Sequence, residues 1–264
     1  MGHLLNLLRE PGAEALDVDS AARLACHKAV FERKRMIRDV FGEFHALFRR
    51  LENRYLDGKG FAIEIGAGVA PMRDTFSDVL STDIVHAPHL DFVMDAQRMA
   101  LATESVRVVY AQNCFHHFPD PERFFAELER VLAPGGGAII LEPFYGPVAT
   151  FVYRRLFRTE GFEKEFPAWE TPASGPMNGA NQALSYIVFV RDRARFEARF
   201  PSLRVVYREP VGNYLRYLTS GGLNFRQIVP DFATYLLRAI EWVASPCNRW
   251  LALHHVVVLK KIDR

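Results

Sequence analysis

The sequence predicts a doubly wound α/β fold, a mostly parallel sheet covered by helices on both faces. Three observations lead there. Between residues 59 and 143, short apolar runs ended by polar or glycine residues alternate with helical stretches, the pattern of parallel strands joined by right-handed crossovers. The first of these runs delivers the chain into a tight turn, Gly66-Ala67-Gly68. After a stretch with no clean period, the same alternation resumes over 191–260. At 264 residues the chain is near the upper size for one hydrophobic core, so a single domain spanning 1–264 is expected.

Four zones divide it. Residues 1–58 read as a helical N-terminal cap: Ile37, Phe41, Phe44, Phe48 and Leu51 recur at helical spacing, and Asp57-Gly58 closes the run as a turn. Over 59–143, strands are expected at 61–65, 79–82, 92–94, 106–111 and 138–141. Pro71 suits the first turn of a helix after the glycine turn, where its missing N–H costs nothing. The step from Asp83 to Asp95 is short and interrupted by Pro88, so its crossover is reduced to a loop. Residues 119–132 are the clearest helix, with Pro121 near its start, Phe124, Phe125, Leu128, Val131 and Leu132 as its buried stripe, and Pro134-Gly135-Gly136-Gly137 at its end. Residues 144–190, rich in Pro, Gly and aromatics, read as an insertion outside the core. Over 191–264 the expected elements are a helix at 192–200, a strand at 204–209, a helical stretch 214–244 broken near Pro230, and a last strand at 251–260.

Composition narrows the function classes. A formal net charge of +2 gives no electrostatic case for nucleic acid, and Glu32 and Asp39 interrupt the one basic run. Cys26, Cys114 and Cys247 lie far apart with no CxxC pair, which argues against a disulfide framework or zinc ribbon. No apolar run approaches the roughly 18–20 residues needed to span a bilayer. The opening reaches Arg9 and Glu10 too early for a signal-peptide core, and Asn6 fails the requirement for myristoylation, so a cytoplasmic location is expected.

The strand ends converge on one crevice, because in open α/β sheets ligands sit outside the carboxyl ends of the strands. Gly66 and Gly68, with Ala67 between them, let the backbone approach a ligand closely. A dinucleotide fingerprint wants a third Gly or Ala at position 71, where Pro71 stands, and Glu64 would repel a pyrophosphate. A ligand carrying positive charge suits Glu64 better. Asp83, 19 residues after Glu64 and followed by Ile84, is placed to accept two ribose hydroxyls. Asp95, with Ala96, is a second strand-end acid suited to an exocyclic amine. Gln112 and Asn113 end the fourth strand at the same crevice.

In these residues the chain resembles the class I S-adenosylmethionine-dependent methyltransferases, in particular the large bacterial type 11 group. The likeness runs from about Gly60 to Pro143 and rests on Glu64-Ile65-Gly66-Ala67-Gly68, Asp83, Asp95-Ala96, residues 115–121 (FHHFPDP) and residues 130–136 (RVLAPGG). It implies a Rossmann-like seven-stranded sheet of order 3-2-1-4-5-7-6 with the last strand antiparallel, S-adenosylmethionine as cofactor and S-adenosylhomocysteine as product. Ala70 replaces the usual third glycine, and Arg107 stands where an aspartate commonly precedes the paired apolar residues of strand four. A looser likeness, in residues 178–184, 189–193 and 217–222, points to enzymes of polysaccharide and lipopolysaccharide modification.

Methyl transfer needs alignment and, for a hydroxyl acceptor, a base. His116 and His117, just past strand four, and Glu142, at the end of strand five, are the candidates. Tyr145, Trp169 and Asn181 are candidates to line an acceptor pocket in the insertion, while Glu160 and Glu163 are expected in solvent. His254 and His255 read as structural and Cys114 as a small buried thiol. No cluster of metal-ligand spacing is expected near the site, hence no catalytic metal. The expected reaction is O-methylation of a sugar or glycan-pathway hydroxyl, lipid-carried or free. Alternatives are a small-molecule methyltransferase of secondary metabolism or quinone synthesis, a nicotinamide-dependent oxidoreductase, and a non-catalytic cofactor-binding protein. The aromatic stretch 214–250 reads as core or dimer packing, or as a greasy face touching the inner side of a membrane.

Overall fold

In the computed structural model, which describes residues 8–12, 16–17, 20–157, 160–172 and 180–262, two helices precede the sheet. They are α1 (Ala21–Arg33), capped by Ser20, whose hydroxyl accepts from the Arg23 N–H, and α2 (Arg35–Tyr55). The sheet then begins with β1 (Phe61–Ile65), β2 (Val79–Asp83), β3 (Phe92–Val93) and β4 (Val106–Gln112). Next come α3 (Pro121–Val131), β5 (Leu132–Pro143), α4 (Pro147–Arg155), the short α5 (Leu184–Tyr186) running into a π-helical turn (Ile187–Arg191), and α6 (Arg193–Arg199). The chain closes with β6 (Leu203–Val211), α7 (Tyr214–Ser220), α8 (Thr234–Val243), α9 (Asn248–Leu251) and β7 (His254–Lys261).

The strand order is β3-β2-β1-β4-β5-β7-β6, with β7 antiparallel to both neighbours and the other pairings parallel. The two-residue period of the strands sorts side chains between two cores. Val108, Tyr110, Ile139, Leu141, Val256 and Val258 face α2, whose Ile37, Phe44, Phe48 and Leu51 are buried as expected, with Val40 joining them and the expected Phe41 only partly buried at the edge. Val109, Ala111, Ala138, Ile140, Val257 and Leu259 face the other way, onto Phe124, Phe125 and Leu128 of α3 and Phe189 and Phe196. Each such side chain contributes about 1.5–3 kcal/mol on burial, which is why a central strand here is apolar on both faces. Arg107 acts structurally, bonding Glu52 of α2 at 2.9 Å and Asp78 at 2.5 Å and so tying the helix to the amino ends of the strands.

Four expectations are corrected. No helix follows Pro71; the β1–β2 connection holds only a 3₁₀ turn, Met72–Asp74, because the Glu64 carboxylate captures the Met72 N–H at 2.7 Å and leaves few residues before β2. Pro134 to Gly137 lie within β5, where a bulge in the β4–β5 register absorbs them: a Cβ on Gly136 would stand 2.7 Å from the Arg107 carbonyl oxygen. The end of the insertion is core, since Leu184, Ile187, Val188 and Phe189 are buried beneath the sheet. The stretch after β6 breaks earlier than Pro230, at Gly221, whose φ of 72° ends α7. Of the looser family motif at 178–184, residues 178 and 179 lie outside the described residues.

Candidate active site

β1 ends in a turn whose left-handed backbone favours glycine. Gly66 and Gly68 have φ of 61° and 54°, and a Cβ on Gly66 would stand 2.5 Å from the Cβ of Cys114. The turn is pinned to the end of β2 by two hydrogen bonds: Ala67 N–H to the Thr82 carbonyl (2.9 Å) and Gly68 N–H to Asp83 Oδ2 (3.0 Å). Asp83 Oδ1 accepts from the Val85 N–H at 3.0 Å. Its carboxyl is raised by burial, against the pull of these backbone bonds. His89 bonds the Gly68 carbonyl through Nε2 at 2.7 Å, a contact with no sequence signal of its own. Ile84 beside Asp83 is exposed, whereas Ala67 and Ala96 are buried.

Glu64 is almost fully buried, and one oxygen accepts from both the Met72 N–H and the Ser81 hydroxyl (2.6 Å). Burial pushes it up to about 7, with those two bonds and the neighbouring carboxylates as smaller influences. Its main visible work is therefore to hold the turn after the glycines. Asp95 closes an Asx turn onto the Gln97 N–H (2.8 Å), and Gln97 in turn accepts from the Asp120 N–H ahead of α3. At the end of β4, Asn113 adopts φ of 51°, and Gln112 Oε1 and Asn113 Oδ1 are buried with no donor among the described residues. Two orphaned acceptors beside a glycine cradle fit a ligand that brings N–H donors or positive charge, since leaving them bare costs about 1–3 kcal/mol each.

Next to the cradle lies an acid–base cluster. Fully buried Glu142 accepts from the Phe115 N–H through Oε1 (2.9 Å) and from His116 Nδ1 through Oε2 (2.5 Å). The other nitrogen, Nε2, lies 3.3 Å from Glu160 Oε2. Burial alone would push His116 down, but Glu142 and then Glu160 override it and hold the imidazolium up to about 10. Glu160 is opposed by burial but kept below the usual carboxylate range by His116. With both nitrogens donating to carboxylates, His116 has no lone pair for a substrate proton, and Glu142 is its anchor. His117 packs against it with the rings tilted by 38°, centroids 4.2 Å apart. His116, His117 and Glu160 bring three ligand atoms within 4.8 Å of one another, a cluster that spacing along the chain did not predict.

The insertion supplies Glu160, expected in solvent; 44 residues separate it from His116, and no local pattern announces the meeting. Asn181 clamps that loop, its Oδ1 accepting from Glu163 and Ala183 N–H at 3.0 Å and its backbone N–H donating to the His116 carbonyl at 3.2 Å. Its amide nitrogen donates to the Glu163 carbonyl at 2.9 Å, so both polar atoms of the side chain are used within the protein. Trp169 is not in the cluster: it is buried in the core beside Phe125 and donates Nε1–H to Asp192. Tyr145 is half-buried, packed on Phe144, Tyr186 and His255. His254 and His255 are both inside because the last strand is covered on both faces; His254 meets Tyr217 and Phe44 edge to face, and His255 bonds Ser185 at 2.8 Å. Cys114 is buried behind Gly66 and donates to the Ile65 carbonyl.

Comparison with known proteins agrees with the sheet. Residues 64–140 match the model of the methyltransferase domain family. No curated protein matches the chain. Geranyl diphosphate C-methyltransferase from Streptomyces coelicolor A3(2), solved with Mg2+, geranyl diphosphate and S-adenosylhomocysteine, superposes with a TM-score of 0.50 at 11% identity, covering 97% of this chain and 89% of that one. An S-adenosylmethionine-dependent methyltransferase from Mesorhizobium loti gives 0.44 at 14% identity over 80% and 96% of the two chains. Phosphoethanolamine N-methyltransferase 2 from Haemonchus contortus gives 0.47 at 11% identity over 92% and 57%. The fold is that of the Rossmann-like methyltransferases, and the match to the methyltransferase domain model falls on residues 64–140, the half of the sheet that holds the glycine turn.

Proposed function

We propose that this protein is an S-adenosylmethionine-dependent methyltransferase that methylates a hydroxyl of a sugar or glycan-pathway intermediate. The observation that carries the cofactor part is the glycine cradle locked to Asp83 beside the bare acceptors of Gln112 and Asn113. Asp83 has lone pairs left on both oxygens for ribose hydroxyls, and Asp95 Oδ2 remains for an amine. Gln112 Oε1 and Asn113 Oδ1 take the donors of a methionyl ammonium. A bound sulfonium supplies a methyl group on an already good leaving group, so the protein's share is alignment and exclusion of water.

The rest of the chemistry belongs to the far side of the crevice. Glu142 fixes the His116 ring, and the His116 cation holds the Glu160 carboxylate. His117 is the group proposed to take the proton of the acceptor hydroxyl at a ring nitrogen, with Glu142 as a positioning residue one step behind. The looser likeness in residues 189–193 and 217–222 supports a glycan-pathway acceptor. Among the described residues no helix is long and apolar enough to cross a membrane. The exposed Phe232, Tyr235, Leu236, Trp242 and Val243 of and beside α8 support a cytoplasmic enzyme resting on the inner membrane face, where a lipid-carried acceptor would be met.

Calorimetry tests the class. S-adenosylmethionine and S-adenosylhomocysteine are expected to bind and NADH is not; NADH binding with no response to either sulfur nucleoside would overturn the assignment. Transfer of labelled methyl to a hydroxyl of a lipid-linked glycan fraction, and its loss in His117→Ala at unchanged cofactor affinity, tests the acceptor.

A further inference from the structure

We propose that His116, His117 and Glu160 form a binding site for one divalent transition-metal ion of zinc's class, with a coordination position left open toward the acceptor. The donor set points there first. Two imidazoles and one carboxylate suit zinc, cobalt or ferrous iron, whereas magnesium and calcium take oxygen ligands. The number of ligands agrees: three protein ligands with one vacancy is the arrangement of catalytic zinc, while structural zinc takes four.

The distances agree as well. Ligand atoms about 2.0–2.2 Å from a tetrahedral ion lie roughly 3.3–3.5 Å from one another. His116 Nε2 and Glu160 Oε2 already stand 3.3 Å apart, and the widest separation in the triad is within 4.8 Å. The remaining contraction falls on Glu160, in the loop between α4 and α5 and 29% exposed, and on rotation of the His117 ring, while His116 stays still.

That stillness of His116 is itself a mark of a ligand. Metal-bound histidines are held from behind by a carboxylate on the other ring nitrogen, which fixes the tautomer and aims the free nitrogen. Glu142 does this here at 2.5 Å, fully buried and itself anchored by the Phe115 N–H. Two carboxylates around one imidazolium leave the cluster with excess negative charge. An incoming ion would take its place between His116 Nε2 and Glu160 Oε2, which already face each other across 3.3 Å.

The site's role rests on the methyltransferase reading: the ion would hold the acceptor oxygen and lower its pKa, in place of the base role that His117 has in the ion-free site. The binding of the ion does not rest on that reading. Protein dialysed against chelator is titrated with Co2+, read by its visible d–d absorption, and with Zn2+ in competition with a chromophoric chelator. One equivalent per chain is expected, with the band of a four- or five-coordinate ion. His117→Ala and Glu160→Gln should each weaken uptake by about 10–100-fold, and Glu142→Gln by a similar order through the histidine it anchors. Calorimetry with S-adenosylmethionine on the same samples separates the two readings and reports that each variant is folded. Wild-type protein that binds the cofactor yet takes up no Co2+ or Zn2+ overturns the metal site and leaves a proton-bridged triad. Uptake that is unaffected by both His117→Ala and Glu160→Gln overturns it equally.

Discussion

Asp83 already accepts two backbone N–H groups, from Gly68 and Val85, before any ligand arrives. It therefore shapes the cradle as well as facing it. Asp83→Ala is expected to weaken S-adenosylmethionine binding by about 10–100-fold, the scale of a lost charge-assisted hydrogen bond. Asp83→Asn, which keeps one acceptor for Gly68, should lose less, and equal losses in calorimetry would assign the residue to ligand contact alone. The residue scale is where the sequence was least informative. That Asp83, Gln112 and Asn113 stand at strand ends was legible, because strand ends in this fold share one edge. His116 read as a base because a histidine past a strand end looks like one; the two carboxylates that hold its protons come from positions 26 and 44 residues away, which no spacing encodes. Trp169 packs in the core beside Phe125, a placement that a tryptophan in a Pro/Gly-rich stretch does not announce.

The turn between β1 and the 3₁₀ segment contains two left-handed glycines with different surroundings. At Gly66 a methyl group meets Cys114 at 2.5 Å, while at Gly68 the nearest atom is the Gly66 carbonyl oxygen at 3.9 Å. Gly68→Ala should thus cost only the backbone penalty, about 1–2 kcal/mol, and Gly66→Ala should cost that plus displacement of β4's end. Urea denaturation would show the difference, and equal midpoints would mean Cys114 yields freely. Among the elements, the central strands were legible from apolar runs with breaks because both faces are buried, and the two-residue edge strand β3 was legible from its apolar pair although Phe92 and Val93 are exposed. The π-helical turn Ile187–Arg191 was not, since its apolar residues follow a proline- and glycine-rich stretch and lack a long period. α8 poses the opposite case: its apolar residues were visible, but not which way they face. Phe232, Tyr235 and Trp242 are 84%, 70% and 76% exposed. Replacing all three by serine should leave the melting temperature nearly unchanged and abolish sedimentation with anionic liposomes. A large drop in melting temperature would return the face to packing against a second copy.

The whole molecule carries buried histidines of two kinds, and together they set how stability depends on pH. Burial holds His45 down to about 4 and His254 and His255 to about 3, against an ordinary value of 6.5, so the unfolded chain takes protons that the folded one refuses. Their contribution is present above pH 6.5 and is lost as pH falls toward 4 and then 3, by at most about 1.4 kcal/mol per group per pH unit. Glu64, raised to about 7 from 4.5, works the other way: the folded chain keeps its proton longer, so stability falls as pH rises from 4.5 to 7. These three histidines outweigh one glutamate, leaving a net loss on acidification from 6.5 to 4.5 of at most about 3 kcal/mol per unit, and the less buried His27, held down to about 4, adds in the same direction. On the alkaline side His116, held up to about 10, keeps a proton that the unfolded chain releases at 6.5, so its contribution is lost as pH rises between those values. The urea midpoint should accordingly peak near neutral pH and fall on both sides. His45 offers the cleanest check, because neither ring nitrogen has a partner among the described residues and burial alone lowers it. His45→Leu should raise the midpoint at pH 5 relative to wild type and leave the alkaline limb in place, whereas Glu142→Gln should flatten that alkaline limb and spare the acid one. A wild-type midpoint that stays constant between pH 5 and 7 would refute the burial-driven account of all three histidines at once.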